Sequence, residues 1–211
     1  MARGQFITVE GIEGTGKSTN IDYLTGLIRA NGIDVETTRE PGGTPMAEKI
    51  RALLLDHGQE PVTGDVELLL FFAARSLHLH NRILPALDEG RWVVCDRFTD
   101  ATRAYQGSGR GLDSEKIEQL ASWVQGGLEP DLTLLLDAPA EIGMARAATR
   151  GEGDRMDNEE LAFYQRVRNG YLALAAAHPE RFVIVDASRS LAEVQASIGD
   201  RLDRFISDNK P

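Results

Sequence analysis

The 211-residue chain, with 42% hydrophobic residues, is long enough for one domain with a continuous core and short for two. Its 33 acidic residues outnumber 23 basic ones, and a net charge of −10 repels nucleic-acid polymers and excludes them as partners. The single cysteine, Cys95, excludes an intramolecular disulfide and a thiolate metal cluster. Since no signal-peptide core precedes the first strand and no apolar run approaches the roughly 20 residues of a membrane span, we expect a cytoplasmic protein without membrane contact.

The first part of the chain predicts a strand, a glycine loop and a helix. Residues 6–9 form a short β-rich apolar run, glycines follow at once, and apolar side chains then recur at helical spacing as far as Gly32. A second strand is predicted at 33–38, then a turn at 41–43 and a helix over about 46–54. The apolar spacing further predicts one long helix over 66–87.

Three later apolar runs, at 92–95, 132–136 and 182–185, each end in an aspartate. None alternates polar with apolar residues, so they predict strands buried on both faces, and turns explain the aspartates after the last two. Helical patterns cover 114–125, 140–149, 159–177 and 191–206. Strands that alternate with helices require a parallel sheet with helices on both faces, here a single α/β domain over residues 1–211.

The loop after the first strand reads G-I-E-G-T-G-K-S at 11–18 and fits the spacing G-x-x-x-x-G-K-[ST] between a strand and a helix. Its backbone N–H groups can converge on phosphate oxygens, Lys17 can reach the β- and γ-phosphates, and the Ser18 hydroxyl can ligate Mg²⁺. A dinucleotide-binding loop is excluded, because Thr19 stands where a third glycine would be needed. The predicted triphosphate site comprises Gly11, Ile12, Glu13, Gly14, Thr15, Gly16, Lys17, Ser18 and Thr19.

The segment D-R-F at 96–98 follows the strand predicted at 92–95. Asp96 is therefore expected at the carboxyl edge of the sheet beside the loop, where its carboxylate could hold Mg²⁺ through water. Phosphoryl transfer depends on positive groups around the moving phosphate, which makes Arg97 a candidate for that role.

These strings and several others resemble the thymidylate kinase family over nearly the whole chain. They are the phosphate loop, T-R-E-P-G-G-T at 38–44, and the segments 71–75, 96–98, 102–106 and 146–155. The resemblance implies a P-loop NTPase fold of the nucleoside monophosphate kinase type, with a parallel sheet of about five strands. It also implies Mg²⁺-dependent transfer of the ATP γ-phosphate to dTMP, giving dTDP and ADP, a step in dTTP synthesis.

Carried over by position, the resemblance implies an acceptor site at Glu13, Glu40, Arg51, Phe71, Arg75, Arg97, Thr102, Tyr105 and Gln106. In this picture two arginines, at 97 and 51, hold the acceptor phosphate, which suits the bidentate guanidinium fork. The aromatic ring at 71 stacks on thymine, the side chains at 75, 102 and 106 bond the base edge, and the phenol at 105 favours deoxyribose. The carboxylate at 13 approaches the 3′-hydroxyl.

Some of these residues also have plain structural interpretations. Arg51 could be a solvated surface residue, and at least one of Phe71 and Phe72 is expected in the core. Phe71 lies four residues before Arg75 and shares its helical face, which favours Phe71 as the stacking partner. Without the resemblance, residues 40–43 read as a turn. The four histidines have no metal spacing and receive no role.

The resemblance also implies a lid over ATP at about 146–157. Gly14, in place of an arginine found in one subgroup, is similar to the bacterial type, in which catalytic arginines come from the lid. Arg150 is then implied to stabilise the transferring phosphoryl group, and Arg146 and Arg155 to bind ATP. Ala148 stands where some relatives carry another arginine, and a solvated helix face is the plain alternative.

Two other functions are considered. A kinase of another nucleoside monophosphate or of a deoxynucleoside would keep the fold and the ATP site and change the acceptor. A nucleotide switch should carry N-K-x-D and D-x-x-G, and neither string occurs in the chain. Relatives form homodimers, so the resemblance implies a homodimer, with the helix predicted at 66–87 as the candidate surface.

Overall fold

A parallel sheet organises the chain. The computed structural model describes residues 3–56, 62–149 and 159–209. Within these ranges the sheet has five strands in the order β2-β3-β1-β4-β5, and every neighbouring pair is parallel. The strands are β1 (Phe6–Glu10), β2 (Val35–Arg39), β3 (Trp92–Asp96), β4 (Leu132–Asp137) and β5 (Phe182–Asp186). The predicted α/β fold with about five parallel strands is confirmed.

Helices cover both faces of the sheet, because each strand is followed by a helical crossover. One hydrophobic cluster joins the strands to the first and last helices, and two others join them to the helices of the opposite face. In the described ranges the α-helices are α1 (Lys17–Ala30), α2 (Pro45–Leu55), α3 (Gly64–His78), α4 (Leu84–Asp88), α5 (Thr99–Thr102), α6 (Ser114–Gln125), α7 (Ala140–Ala148), α8 (Leu161–Ala177) and α9 (Leu191–Asn209). None of the helices described is long and apolar enough to cross a membrane.

The long helix predicted over 66–87 is interrupted. Between α3 and α4 the backbone forms a π-helical segment, Leu79–Ile83, and Pro85 lies in the first turn of α4. Proline lacks an N–H and its ring clashes with the carbonyl four residues earlier, and a π-helical turn accommodates both effects without ending the helix. The apolar spacing located the helix, but it did not reveal the change in winding.

The prediction that β5 is buried on both faces is wrong. Its side chains at 183 and 184 are partly or largely exposed, with Ile184 at 52%. In the described sheet β5 pairs only with β4 and lies at the edge, so less of its surface is covered. A short apolar run has the same appearance whether its strand is central or peripheral.

A second helical stretch was not predicted as an element. After Phe98 the chain forms α5 and then a π-helical segment, Arg103–Gly109, which packs against α8. Gly107 and Gly109 lie within it, and this composition masks a helical pattern in the sequence. The segment carries Tyr105 and Gln106, so it brings two predicted site residues to the sheet edge.

Candidate active site

The carboxyl ends of β1 and β3 lie side by side and define the site. Val9 pairs with Asp96, so the loop after β1 and the D-R-F segment after β3 begin at the same edge. The loop leads directly into α1, whose N-terminus adds a partial positive charge. Gly14 and Gly16 have φ angles of 74° and 82°, in the left-handed region that glycine adopts without strain.

Lys17 lies folded across the loop. Its Nζ donates to the carbonyl oxygens of Gly11 and Ile12, both at 3.1 Å. Burial and the nearby Arg97 charge together lower the pKa of Lys17 to about 8, against the attraction of Asp96 and Glu13. A bound phosphate would add negative charge beside this partly buried ammonium.

A pocket beside the loop collects the predicted acceptor residues. Its lining includes all nine side chains that the sequence indicated: Glu13, Glu40, Arg51, Phe71, Arg75, Arg97, Thr102, Tyr105 and Gln106. Asp96 lines the same pocket. These residues lie between positions 13 and 106 on several separate elements, and the fold brings them together.

Arg97 is held by contacts on both sides of its guanidinium. Nη2 donates to Glu13 Oε1 at 2.7 Å, Nη1 donates to the Tyr171 hydroxyl at 3.2 Å, and the group lies 4.7 Å from the centre of the Tyr105 ring. Arg97 also has a φ of 70°, which is unusual for a residue other than glycine. Burial favours the neutral form of Glu13, but the charges of Arg97 and Lys17 outweigh it and lower the Glu13 pKa. The site thus contains a fixed cation paired with an ionised carboxylate.

Arg75 lies at a more enclosed part of the pocket lining and is only 2% exposed. Its Nε donates to Glu40 Oε2 at 2.7 Å and its Nη2 to the Thr102 hydroxyl at 3.0 Å. Gln106 donates to Glu67 at 2.8 Å, so a second buried carboxylate orients it. The predicted base-reading residues are therefore fixed by buried hydrogen bonds.

The remaining acceptor residues also have defined places. Phe71 lines the pocket, whereas its neighbour Phe72 is 2% exposed and packs in a core cluster with Leu68. Arg51 lines the pocket and donates to the Pro41 carbonyl oxygen at 2.8 Å, so it is not a fully solvated surface residue. Cys95 is buried, and burial raises the pKa of its thiol, as expected for an inert cysteine.

Three residues beside the site were missed in the sequence. Glu10 ends an apolar strand and accepts a hydrogen bond from the Tyr171 hydroxyl at 2.7 Å, although 161 positions separate the two. His78, to which the sequence assigned no role, is fully buried and contacts Glu40. Tyr171 and His78 lie on helices with ordinary apolar spacing, so no local signal distinguishes them.

The predicted lid is only partly described. Arg146 is exposed, and its Nη1 donates to the Ala187 carbonyl oxygen at 2.7 Å, beyond the carboxyl end of β5. Arg150 and Arg155 lie outside the described residues. Their roles stay predictions.

The oxygen ligands near the phosphate loop are suited to Mg²⁺. Asp96 Oδ1 is buried without a hydrogen-bond partner in the described structure, and the Ser18 hydroxyl is exposed at the start of α1. No group of three acidic, histidine or cysteine side chains in the described ranges could hold a metal by itself. Mg²⁺ keeps several waters and takes substrate phosphate oxygens, so one carboxylate and one hydroxyl suit it.

The phosphate loop on a parallel sheet lies beside a pocket lined by Arg51, Arg75 and Arg97. Together they define a phosphotransferase of the nucleoside monophosphate kinase class. Comparison with known proteins narrows the class. The model of the family "Thymidylate kinase" matches residues 9–198, and the chain belongs to this family.

Three curated relatives match the sequence of this chain over nearly its full length. The chain is 57% identical over 203 residues to the thymidylate kinase of Ectopseudomonas mendocina (strain ymp), covering 96% of this chain and 97% of the relative. It is 58% identical over 209 residues to that of Chromohalobacter salexigens, covering 98% and 99%. It is 55% identical over 208 residues to that of Alkalilimnicola ehrlichii, covering 98% and 96%.

Proposed function

We propose that this protein transfers the γ-phosphate of ATP to dTMP, producing dTDP and ADP. Membership of the thymidylate kinase family supports this reaction. The observation that carries the proposal is the pocket beside the phosphate loop, because its lining includes every acceptor residue indicated by the family pattern. A switch protein needs no such second site.

The donor half is formed by the phosphate loop. Backbone N–H groups of residues 11–19 bind the phosphates, and Lys17 neutralises charge on the β- and γ-phosphates. Ser18 and Asp96 would hold Mg²⁺, which would neutralise charge on the donor phosphates when bound. Arg150 would stabilise the transferring phosphoryl group, and Arg146 and Arg155 would bind ATP.

The acceptor half orients dTMP for attack. Arg97 and Arg51 bind its phosphate, and Phe71 stacks on its base. Glu13 lies between Arg97 and the Tyr105 hydroxyl, with which it forms a 2.6 Å hydrogen bond, and it approaches the acceptor's 3′-hydroxyl. Tyr105 is thereby fixed where it would crowd a 2′-hydroxyl, and Arg75, Thr102 and Gln106 contact the base edge. The two anionic substrates meet across Lys17 and Arg97, where fixed positive charge offsets their repulsion.

We also propose a homodimer that works in the cytoplasm. Val66 and Leu69 on α3 are 47% and 57% exposed, and Leu53 on the adjacent α2 is 64% exposed. Exposed apolar side chains on neighbouring helices are typical of protein interfaces. The buried, unbridged Cys95 agrees with a reducing compartment.

The reaction is tested by coupled ADP release with Mg·ATP across dTMP, dUMP, dCMP, UMP and thymidine. We expect dTMP to be the best acceptor. A far faster reaction with UMP or a nucleoside would establish the other kinase, and GTP hydrolysis without an acceptor effect would establish the switch.

The role of Arg97 is tested in the same assay with Arg97→Ala. Loss of a bidentate phosphate contact should lower kcat/KM for dTMP by roughly 100-fold or more. The matched control, Arg29→Ala, removes an exposed arginine of α1 and should leave activity unchanged. Near-normal turnover by a folded Arg97→Ala protein would remove Arg97 from the site.

A further inference from the structure

A buried polar chain lies behind Arg75. Thr38 Oγ1 lies 2.6 Å from His78 Nε2, and His78 Nδ1 lies 3.1 Å from Glu40 Oε1. The other Glu40 oxygen accepts from Arg75 Nε at 2.7 Å. These four side chains are at most 8% exposed, so solvent does not compete for their hydrogen bonds.

The charge of Glu40 decides the direction of each hydrogen bond. Burial favours its neutral form, but the charge of Arg75 and the hydrogen bond from His78 outweigh burial and lower the Glu40 pKa. An ionised carboxylate only accepts hydrogen bonds. His78 Nδ1 therefore carries a hydrogen and donates a hydrogen bond to Glu40. In the neutral imidazole Nε2 then accepts from the Thr38 hydroxyl. The hydrogen bond to Glu40 thus fixes the orientation of the His78 ring.

Close packing fixes the imidazole further. A Cβ added at Gly43 would lie 2.5 Å from His78 Cδ2 and Nε2 and 2.8 Å from Thr38 Oγ1. At position 43 only glycine, which has no side chain, fits between this loop and the ring. The loop at 41–43 therefore packs directly against the imidazole and restricts its movement.

This arrangement leaves one nitrogen of Arg75 for a ligand. Nε and Nη2 are used by Glu40 and Thr102, whereas Nη1 is buried and has no partner in the part of the chain that the structure describes. Arg75 lines the acceptor pocket. A guanidinium donates only, so Nη1 offers hydrogens that a buried acceptor should satisfy.

We propose that His78 is a positioning residue for base selectivity: through Glu40 it holds Arg75 so that Nη1 faces a carbonyl at C4 of the pyrimidine. The proposal rests on the proposed function, since it concerns the dTMP pocket. Thymine and uracil carry an acceptor oxygen at C4, whereas cytosine carries an amino donor. A fixed N–H donor can form a hydrogen bond with thymine and uracil but not with the amino group of cytosine. Sites that require such a hydrogen bond discriminate strongly against a ligand that cannot form it. If Glu40 loses its second anchor, the guanidinium can move and the discrimination falls.

The test compares dTMP, dUMP and dCMP as acceptors for the full-length protein and for two isosteric variants, His78→Gln and His78→Asn. The Gln side chain places its amide near the position of Nε2 and loses the bond to Glu40. The Asn side chain places its amide near Nδ1 and can keep that bond. For each protein we measure kcat/KM, the inhibition constant of dCMP against dTMP, and the thermal unfolding temperature. His80→Gln, exposed in the π-helical segment that follows α3, is the matched control.

We expect His78→Gln to lower the selectivity for dTMP over dCMP by about tenfold or more, and His78→Asn to retain it within about threefold. The dTMP to dUMP ratio should stay unchanged in both, because these bases share the C4 carbonyl. An unchanged dCMP ratio in His78→Gln would overturn the proposal. So would an equal loss in His78→Asn, or a parallel loss of the dUMP ratio.

If His78→Gln does not fold, Glu40→Gln decides in its place. The same selective loss would support the proposal, and a wild-type ratio would overturn it. Failure of the proposed function is distinguishable, because the wild-type protein would then not prefer dTMP at all.

Discussion

Arg97 depends on groups that lie far from it in sequence. Its guanidinium contacts Glu13 on one side and Tyr171 on the other, and Tyr171 in turn donates to the buried Glu10. Glu10 Oε1 also accepts from the backbone N–H of Phe98, the residue after Arg97. The residue expected to bind the acceptor phosphate is therefore held through both its side chain and its neighbouring backbone.

The Tyr171 hydroxyl is expected to matter for the acceptor more than for ATP. Tyr171→Phe removes one contact to Arg97 while preserving the ring, and hydrogen bonds to charged groups contribute about 1.5–3 kcal/mol. We expect KM for dTMP to rise roughly 10-fold and KM for ATP to change less than about twofold. Steady-state kinetics at varied concentrations of each substrate measure this.

Tyr23→Phe is the control, since its hydroxyl lies beside Gly199 of α9, away from the pocket. Equal rises in both Michaelis constants for Tyr171→Phe would indicate general loosening and contradict the assigned role.

Glu10 is expected to make stability depend on pH. Burial, assisted by the charge of Asp100, raises its pKa to about 8 from 4.5, despite hydrogen bonds from Tyr171 and Phe98. The folded state then holds a proton that the unfolded state has released, so this contribution to stability falls as pH rises from about 5 to 8. Glu10→Gln cannot ionise.

We expect the variant to gain about 3–4 kcal/mol relative to wild type between pH 5 and pH 8.5, or roughly 6–16 °C in unfolding temperature. Circular dichroism melts across this range measure the difference. The exposed Glu115→Gln should show no such trend. A constant difference between Glu10→Gln and wild type at every pH would refute the assignment.

At the scale of elements, α7 and the phosphate loop are packed backbone against backbone. A Cβ on Gly14 would lie 1.9 Å from the Gly143 carbonyl oxygen, and a Cβ on Gly143 would lie 2.5 Å from the Glu13 carbonyl oxygen. Gly14 also has a positive φ. A side chain such as arginine therefore cannot occupy position 14 unless α7 moves away.

Gly143→Ala should disturb the donor half selectively. Its methyl group must displace either the loop or α7, so we expect the Kd for ATP to rise about tenfold, a cost near 1.4 kcal/mol. The Kd for dTMP should change less than about threefold, because the acceptor residues other than Glu13 lie on other elements. Titration calorimetry with each ligand measures both values.

Gly26→Ala is the matched control in α1. Beyond the backbone of its own helix, no atom of the described residues lies within 4 Å of the added Cβ, and alanine is about 0.5–1 kcal/mol more favourable than glycine within a helix. This variant should therefore melt at a higher temperature and bind ATP normally. Unchanged ATP affinity in Gly143→Ala would contradict the expected strain.

At the scale of the whole molecule, four arginines and three carboxylates line the acceptor pocket of an otherwise acidic chain. The net charge is −10, yet Arg39, Arg51, Arg75 and Arg97 all line the acceptor pocket. A few cations focused in a cleft attract small anions although the surface as a whole is acidic. The exposed apolar side chains are likewise not evenly distributed over the surface, since several of them lie on the adjacent helices α2 and α3.

Leu69→Glu is expected to weaken the proposed dimer. It places a charge on the exposed face of α3, and burying that charge in an interface would be costly. Sedimentation velocity at micromolar concentration should show a wild-type dimer and a largely monomeric variant. Leu191→Glu, a similarly exposed leucine on α9, should remain dimeric. A wild-type monomer would count against the dimer.

Contiguous motifs and apolar runs were the predictable part of the protein. The phosphate loop carries its own backbone geometry and its lysine within eight residues, so its chemistry is readable without a fold. Apolar runs located β1, β3, β4 and β5, because burial in a parallel sheet favours them, whereas β2 reads V-E-T-T-R and has no such run. The edge position of β5 and the π-helical winding before Pro85 were not predictable, since both depend on what packs alongside.

The sequence by itself determined the class of fold, the phosphate loop and the family pattern of the acceptor pocket. Only the tertiary structure revealed that Tyr171 and Glu10 support Arg97, that His78 and Glu40 support Arg75, and that Gly143 abuts the loop. The physical reason is that these contacts join residues up to 161 positions apart. Their strength comes from burial and mutual orientation, which the folded chain creates and no local stretch encodes.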